Sequence, residues 1–249
     1  TGIDPMKVLI IGATSAIAKA SARIYAELGC SLHLIARRDD QLALLASDLL
    51  VRGASKVSHS MLDLNKFAEH EKTLDAAFTE LGGIDIVLIC HGSLPDQEKV
   101  EQNFKQALKE INTNGISVIS LLTELAPKFI EQQQGTIAVI TSVAGNRGRQ
   151  PNFVYGAAKS LVSTYLQGLR GKLLAHNVNI VDIRPGLVDS PMTAQLPKGP
   201  LWSSPERIAQ KTVKSIRRGS HTVYAPGYWR VIMFVVSAIP EFVFKRLKF

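Results

Sequence analysis

The chain has few of the residues that mark several classes of protein. Two cysteines in 249 residues, Cys30 and Cys90, are too few for a disulfide framework. Aromatic residues make up only 6% of the chain, which leaves few side chains for stacking on single-stranded nucleic acid. The net charge is +8, yet no run of Lys and Arg exceeds two residues. A nucleic-acid partner is therefore not expected.

Long hydrophobic runs are also missing. The longest, residues 231–239, is interrupted by Ser237 and ended by Pro240. A membrane-spanning helix needs roughly 20 apolar residues, so we expect no crossing of a bilayer and a cytoplasmic protein. The first five residues precede Met6 and are interpreted as a remnant of expression, which is left out of the fold prediction.

The chain does contain a regular alternation of short β-branched runs and amphipathic helical patterns. Strands separated by helices favour right-handed βαβ crossovers. The predicted fold class is therefore α/β, a single-domain Rossmann-type doubly wound parallel sheet flanked by helices, with an apolar C-terminal helix. Predicted strands cover residues 7–11, 31–36, 57–61, 84–89, 136–141, 178–183 and 222–224; predicted helices cover 16–28, 41–50, 67–81, 153–174 and 205–217, with two more across 100–132.

Regular patterning lapses in one long segment, residues 185–204, which holds four prolines. Long loops in compact α/β domains are often lids over a ligand. We therefore predict one domain over residues 6–227 with a mobile flap at 185–204, followed by an apolar and basic tail at 228–249.

The turn after the first predicted strand has the composition of a phosphate-binding loop. Backbone N–H groups at the start of the following helix favour an anion, and hydroxyl groups in the turn add donors. The alternative is a plain strand-to-helix turn in which Ser15 is only the N-cap. The candidate phosphate-binding residues are Gly12, Thr14, Ser15, Ala16 and Ile17.

Two arginines, Arg37 and Arg38, follow the second predicted strand, where an acidic residue would bind a ribose 2′-hydroxyl. Guanidinium groups suit a 2′-phosphate, so NADP is expected in preference to NAD. The alternative is that both arginines are solvated at a strand end or paired with Asp39 and Asp40.

A tyrosine and a lysine, Tyr155 and Lys159, are spaced to share one helix face, and Ser142 follows a predicted strand thirteen residues before the tyrosine. A nearby ammonium favours phenolate, so Tyr155 could donate a proton to a carbonyl oxygen that Ser142 also holds. The alternative is an ordinary surface contact beside a strand-terminal turn.

These residues together resemble the short-chain dehydrogenase/reductase family across almost all of residues 6–192. The resemblance implies that Tyr155 is the acid/base, that Lys159 lowers its pKa and binds the nicotinamide ribose, and that Ser142 orients the carbonyl. Asn112 would hold a water in a proton relay. The remaining cofactor residues implied are Asp63 and Leu64 at the adenine, Cys90, His91 and Gly92 after the fourth strand, and Pro185, Gly186 and Val188 at the nicotinamide; no metal ligand is implied.

Two departures from the family pattern stand out. Ala16 and Ala18 occupy positions where the family turn has glycine, which could weaken cofactor binding. The family's Asn-Asn-Ala-Gly is replaced by Ile89-Cys90-His91-Gly92. His91 could face the ligand, although a histidine bonded to neighbouring backbone is the more ordinary interpretation.

The tail combines an apolar helical run with aromatic and basic residues, which suits a membrane interface. In that interpretation Trp229 lies at headgroup depth and Lys245, Arg246 and Lys248 meet anionic lipid. The alternative is packing of the tail within the protein or its oligomer.

The tail and residues 142–155 also resemble one branch of the family, the NADPH-using decaprenylphosphoryl-2-keto-ribose reductases. The expected function is reduction of a carbonyl to a secondary alcohol, or the reverse, on a polyprenyl-phosphate-linked keto-sugar at the inner face of the membrane. The alternatives are reduction of soluble ketone, steroid or acyl substrates, and a non-catalytic NADP sensor. A homo-oligomer is expected from the family, through the helices around residues 100–132 and 153–174.

Overall fold

A computed structural model describes residues 5–247 of the chain; most of the predicted expression remnant and Lys248 lie outside the described residues. One seven-stranded sheet forms the centre, with every neighbouring pair of strands parallel, which confirms the predicted α/β class. Its strand order is β3-β2-β1-β4-β5-β6-β7. The strands are β1 (Lys7–Ile11), β2 (Ser31–Ala36), β3 (Lys56–Met61), β4 (Ile86–Ile89), β5 (Gly135–Ile140), β6 (Val178–Pro185) and β7 (Thr222–Ala225).

Helices cover both faces of the sheet, and each face has its own hydrophobic core. Alternate strand residues point to opposite faces, so Val8 and Ile10 lie in one core whereas Leu9 and Ile11 lie in the other. The helices are α1 (Ala16–Glu27), α2 (Asp39–Val51), α3 (His70–Leu81), α4 (Gln97–Val100), α5 (Phe104–Ile111), α6 (Ser117–Gln132), α7 (Phe153–Leu173), α8 (Pro205–Arg217), α9 (Trp229–Ala238) and α10 (Glu241–Phe244).

The structure differs from the predicted elements mainly between β4 and β5. Residues 100–132, predicted as two helices, contain α5 and α6 joined by a π-helical turn at Asn112–Ile116, and α4 precedes them. A π turn inserts one extra residue per hydrogen-bonded ring, which periodicity along the sequence does not reveal. That turn matters because it changes which asparagine faces the sheet.

The strand order predicts at which edge of the sheet a ligand binds. The chain runs outward from β1 to β3 and then returns to β4 on the other side of β1. At such a reversal the loops after the two neighbouring strands separate and leave a crevice at the carboxyl ends. The turns after β1 and β4 therefore border the expected cofactor site.

The C-terminal helix α9 packs on the body of the protein with one face. Trp229 is 5% exposed and Met233 is buried with it beside Val143. The prediction that Trp229 lies at lipid headgroup depth is therefore wrong, because its indole ring is buried within the chain. The opposite face of the helix exposes Phe234 and Val235 to solvent.

Arg147 fastens this tail to the loop after β5. Its guanidinium donates hydrogen bonds to the carbonyl oxygens of Val236 (2.7 Å) and Ile239 (2.6 Å), at the end of α9. It also pairs with Glu241 at 2.9 Å and stacks over the ring of Phe244. Among residues 5–247, no helix is both long enough and apolar enough to span a bilayer.

Candidate active site

A cleft of about 660 Å³ opens at the carboxyl edge of the sheet, in the size range of small-molecule sites. It brings together most of the residues predicted from the sequence, although they come from distant parts of the chain. Arg38 and Asn112 are not among the lining residues. Those that do line it are Gly12, Thr14, Ser15, Ala16, Ile17, Arg37, Asp63, Leu64, Cys90, His91, Gly92, Ser142, Tyr155, Lys159, Pro185, Gly186 and Val188.

The turn after β1 forms the floor of the cleft beside the N-terminus of α1. Gly12 has φ +76°, and a Cβ there would lie 2.6 Å from the backbone nitrogen of His91. Only glycine permits both this conformation and this approach of two loops. Ser15 accepts a hydrogen bond from the Ala18 N–H at 3.3 Å, so it is an N-cap within the cleft wall. Ala18 is fully buried in the core and does not line the cleft.

The two arginines after β2 take different positions. Arg37 lines the cleft, whereas Arg38 is the exposed N-cap residue of α2. Asp39 lies 3.3 Å from His59, and neither arginine forms an ion pair within residues 5–247. The guanidinium group of Arg37 is therefore available to an anion at this edge. Arg38 lies outside the cleft lining.

His91 is buried against the π turn rather than bonded to neighbouring backbone. Its Nε2 lies 2.7 Å from the Ser117 hydroxyl, which itself donates to the Thr113 carbonyl at 2.8 Å. The Ser117 hydroxyl must therefore accept from His91, which places the imidazole proton on Nε2. Burial, reinforced by the charge of Lys159, lowers the pKa of His91 to about 3. Its buried Nδ1 is left as an acceptor without a partner among residues 5–247.

A close contact between two backbone segments positions the groups predicted to react. The 3₁₀ turn Val143–Gly145, capped by Ser142, packs against the first turns of α7. A Cβ at Gly145 would lie 2.9 Å from the backbone carbon of Lys159, and one at Gly156 would lie 2.8 Å from the Ala144 oxygen. Both glycines are required for this approach, which brings the Ser142 hydroxyl to Tyr155.

Burial sets the direction of the shift in the Tyr155 pKa. It raises this pKa to about 12, and hydrogen bonding with the Ser142 hydroxyl opposes the rise. The Lys159 ammonium lies 5.7 Å from the ring centre, and that it lowers this pKa stays a prediction. At neutral pH the phenol is therefore protonated and able to donate.

Lys159 is 3% exposed and carries a perturbed ammonium group. Burial lowers the pKa of Lys159 to about 8, while Cys90 and Asp182 act in the opposite direction. A Cβ on Gly92 would lie 3.3 Å from its Nζ, so the loop after β4 passes directly over the amine. Desolvation of this kind concentrates at functional sites.

The structure places Asn114, and not the predicted Asn112, against this group. The Asn114 amide is fully buried; its Oδ1 accepts from the Ser93 N–H at 2.9 Å and lies 2.8 Å from where a Gly92 Cβ would be. Both asparagines belong to the π turn, whose extra residue rotates the second one toward the sheet.

Among the cleft residues that the sequence did not predict, three carry unsatisfied polar atoms. Arg149 and Asn152 precede Tyr155 in the chain, and Trp229 comes from α9. Each has a buried polar atom without a hydrogen-bond partner among the described residues: Arg149 Nε, Asn152 Oδ1 and Trp229 Nε1. Position along the chain gave no signal for Trp229, because only packing of the tail brings it to the cleft.

The donor set at the other end of the cleft fits a nicotinamide dinucleotide. The glycine turn and the N-terminus of α1 present N–H groups to an anion. Gly12 and Gly92 allow the loops that border this end to pack closely, because a Cβ at either position would meet a neighbouring residue. Gly186 likewise allows the chain to pass the indole of Trp229, since a Cβ there would lie 1.8 Å from its Nε1.

Comparison with known proteins agrees with this geometry. The short chain dehydrogenase family model matches residues 6–200. The chain is 33% identical over 247 residues to an uncharacterized oxidoreductase of Mycobacterium tuberculosis, covering 99% of this chain and 98% of that protein. It is also 33% identical over 246 residues to an uncharacterized oxidoreductase of Streptomyces coelicolor, covering 98% of this chain and 96% of the relative.

Solved structures share the fold at lower identity. The crystal structure of gox2181 has a TM-score of 0.81 and 20% identity, covering 91% of this chain and 97% of that one. A short-chain type dehydrogenase/reductase from Mycobacterium ulcerans has a TM-score of 0.77 and 20% identity, covering 90% and 89%. The chain therefore belongs to the short-chain dehydrogenase family and is an NAD(P)-dependent oxidoreductase.

Proposed function

We propose that this oxidoreductase reduces a carbonyl to a secondary alcohol, or catalyses the reverse reaction, with NADP(H) as its cofactor. The observation that carries the proposal is the convergence of Ser142, Tyr155 and Lys159 in one cleft beside the glycine turn. A hydroxyl, a protonated phenol and a buried ammonium form a donor set for one carbonyl oxygen.

In the reductive direction Tyr155 donates its proton to the carbonyl oxygen as that oxygen gains electrons. Ser142 holds the same oxygen through its hydroxyl, which orients the carbonyl toward the phenol. The raised pKa of Tyr155, about 12, keeps the proton on the phenol until the developing alkoxide takes it. The bound cofactor supplies the hydride chemistry.

Lys159 and Asn114 both assist Tyr155 as the proton donor. The Lys159 ammonium lies next to Tyr155 on the same helix and stabilises the phenolate that forms after transfer. Asn114 fixes the loop after β4 through the Ser93 N–H and so helps to hold Gly92 against Lys159. We assign this positioning role to Asn114, whereas the sequence predicted that Asn112 holds a water in a proton relay.

The cofactor is expected to be NADP in preference to NAD. Arg37 lines the cleft without a carboxylate partner among the described residues, which suits a 2′-phosphate. Asp63 and Leu64 line the same end of the cleft and would contact the adenine. Pro185, Gly186 and Val188 would line the nicotinamide.

We propose further that the carbonyl substrate is a keto-sugar linked to a polyprenyl phosphate, reached at the inner face of the membrane. Support comes from α9, which contributes Trp229 to the cleft wall while Phe234 is 75% and Val235 is 55% exposed. Lys245 and Arg246 follow on the same tail and suit anionic headgroups. An apolar surface beside the cleft favours an amphiphilic substrate.

A homo-oligomer is also proposed, through helices α6 and α7. Between them lies an open groove of about 860 Å³ whose walls are mainly apolar. Open apolar grooves of this size on paired helices are typical of protein interfaces. Its wall includes Ala126, Ile130, Leu161, Tyr165 and Leu169.

Replacement of the phenol tests the proton donor directly. We expect Tyr155→Phe to lower kcat/KM for carbonyl reduction by at least about 100-fold, because general acid catalysis is lost. The matched control is Tyr228→Phe, a partly exposed tyrosine outside the cleft lining, which should retain activity. Activity of Tyr155→Phe within about tenfold of the parent would show that the acid/base assignment is wrong.

The lowered pKa of Lys159 predicts the pH dependence of reduction. The ammonium is present below pH 8 and is lost above it, so kcat/KM should fall as the pH rises through about 8. Lys159→Met should lose this alkaline limb along with most activity, whereas Lys172→Met, exposed on the same helix, should keep it. A limb that persists in Lys159→Met would assign the ionisation to another group.

Cofactor preference can be measured by titration of tryptophan fluorescence with NADPH and NADH. We expect Arg37→Ala to weaken NADPH binding at least tenfold and to leave NADH binding nearly unchanged, because only the 2′-phosphate contact is removed. Arg38→Ala is the matched neighbour and should have little effect, since Arg38 lies outside the cleft lining. Equal affinities of the parent for both nucleotides would contradict the assignment of Arg37.

Membrane contact can be tested by sedimentation with vesicles of phosphatidylglycerol and phosphatidylcholine. Phe234→Ser with Val235→Ser should reduce the bound fraction at least fivefold, because both side chains are exposed on α9. Leu44→Ser, at an equally exposed apolar position on α2, controls for loss of surface hydrophobicity. Failure of the parent protein to sediment with anionic vesicles would reject the membrane role.

A further inference from the structure

Arg149 is a cleft residue whose guanidinium group has no acidic partner. It lies between the Ser142 turn and α7, and its Nε is buried without a hydrogen-bond acceptor. Within residues 5–247 it takes part in no ion pair. Burial alone lowers its pKa, with no carboxylate to oppose the effect. A charge desolvated in this way is unfavourable unless an anion compensates it.

Two neighbouring arginines show that the fold normally satisfies such groups. Arg147, two residues earlier, donates to the carbonyl oxygens of the tail and pairs with Glu241. Arg184 pairs with Asp182 at 2.7 Å on β6. Both guanidinium groups are largely buried and fully engaged. Arg149 differs from both of these arginines, because its Nε has no hydrogen-bond partner among the described residues.

Two further cleft residues that the sequence did not predict carry polar atoms without a hydrogen-bond partner among residues 5–247. The indole N–H of Trp229 is buried next to Gly186, and the Asn152 Oδ1 is buried one helical turn before Tyr155. The guanidinium and the indole are donors, which a carboxylate or a phosphate accepts from well. The amide oxygen of Asn152 is an acceptor and suits a substrate hydroxyl.

The acidic residues of the cleft do not neutralise Arg149. Glu110 accepts hydrogen bonds from the Ser93 hydroxyl at 2.5 Å and from the Asn114 amide at 3.3 Å. Asp63 accepts from the backbone N–H of Asn65 at 3.1 Å, at the end of the cleft expected to hold adenine. Both carboxylates are engaged with neutral groups on the cofactor side.

We propose that the carbonyl substrate carries an anionic group, a carboxylate or a phosphate, which the guanidinium group of Arg149 binds. The inference rests on the proposed function, because it concerns the substrate of that same cleft. Apolar side chains complete this end and would contact the uncharged part of the substrate: Leu94, Leu187, Met192 and Leu196.

Binding of anions gives a test that does not depend on turnover. Isothermal titration of the NADP⁺-loaded protein with sodium phosphate and with sodium benzoate, at constant ionic strength, compares the two sources of charge. We expect at least one anion to bind the parent and to bind Arg149→Gln at least tenfold more weakly, with partial recovery in Arg149→Lys. Arg218→Gln, an exposed arginine after α8, is the charge-matched control.

Three results would overturn the proposal. The first is that neither anion binds the parent protein, and the second is that Arg149→Gln binds both anions as tightly as the parent. The third is a loss of NADPH affinity of tenfold or more in Arg149→Gln, because Arg149 would then belong to the cofactor site.

Kinetics with matched ketones separates this inference from the proposed function. The pairs are 4-oxopentanoate with its methyl ester and dihydroxyacetone phosphate with dihydroxyacetone. Arg149→Gln should lose at least tenfold in kcat/KM on the anionic member and less than threefold on the neutral one. An equal loss on both members of a pair would overturn the anion assignment while leaving carbonyl reduction intact. Reduction that is independent of Tyr155 would instead overturn the proposed function.

Discussion

The contact between the turn at residues 143–145 and the start of α7 is the constraint on which the whole site depends. The two backbone segments approach so closely at Gly145 and Gly156 that no side chain larger than hydrogen fits at either position. The relative position of the Ser142 hydroxyl and the Tyr155 phenol is consequently fixed by a contact between backbones. Such a contact is more rigid than one between two rotatable side chains. Preorganised geometry of this kind is what proton transfer to a bound carbonyl requires.

Burial dominates the electrostatics of the same region. It keeps Tyr155 protonated, His91 neutral and Lys159 only partly protonated near pH 8. The sequence-based expectation considered only the charge of the lysine, whereas burial is the larger influence on the pKa of Tyr155. A pKa depends on how far the folded protein excludes solvent from the group, as well as on which charges lie nearby. Solvent exclusion cannot be inferred from the spacing of residues along the sequence.

The predictable parts of the molecule are those set by local patterns. The bounds of β1, β2 and α8 match their predictions residue for residue, because β-branched runs and an N-terminal Ser-Pro signal them clearly. The asparagine was misassigned by two positions, since a π turn has no sequence signature comparable to glycine or proline. Trp229 was placed at a lipid surface because a tail that is apolar overall does not reveal which of its faces is covered.

The cleft is assembled from several separate stretches of chain. The cofactor end is built by the loops after β1, β2, β3 and β4, whereas the wall near Gly186 is completed by Trp229, which follows β7. The C-terminal helix thus contributes to the cleft wall without carrying Ser142, Tyr155 or Lys159. Change in the C-terminal helix can alter which molecules are admitted without disturbing the machinery that turns them over, and such separability lets one scaffold diversify its substrates.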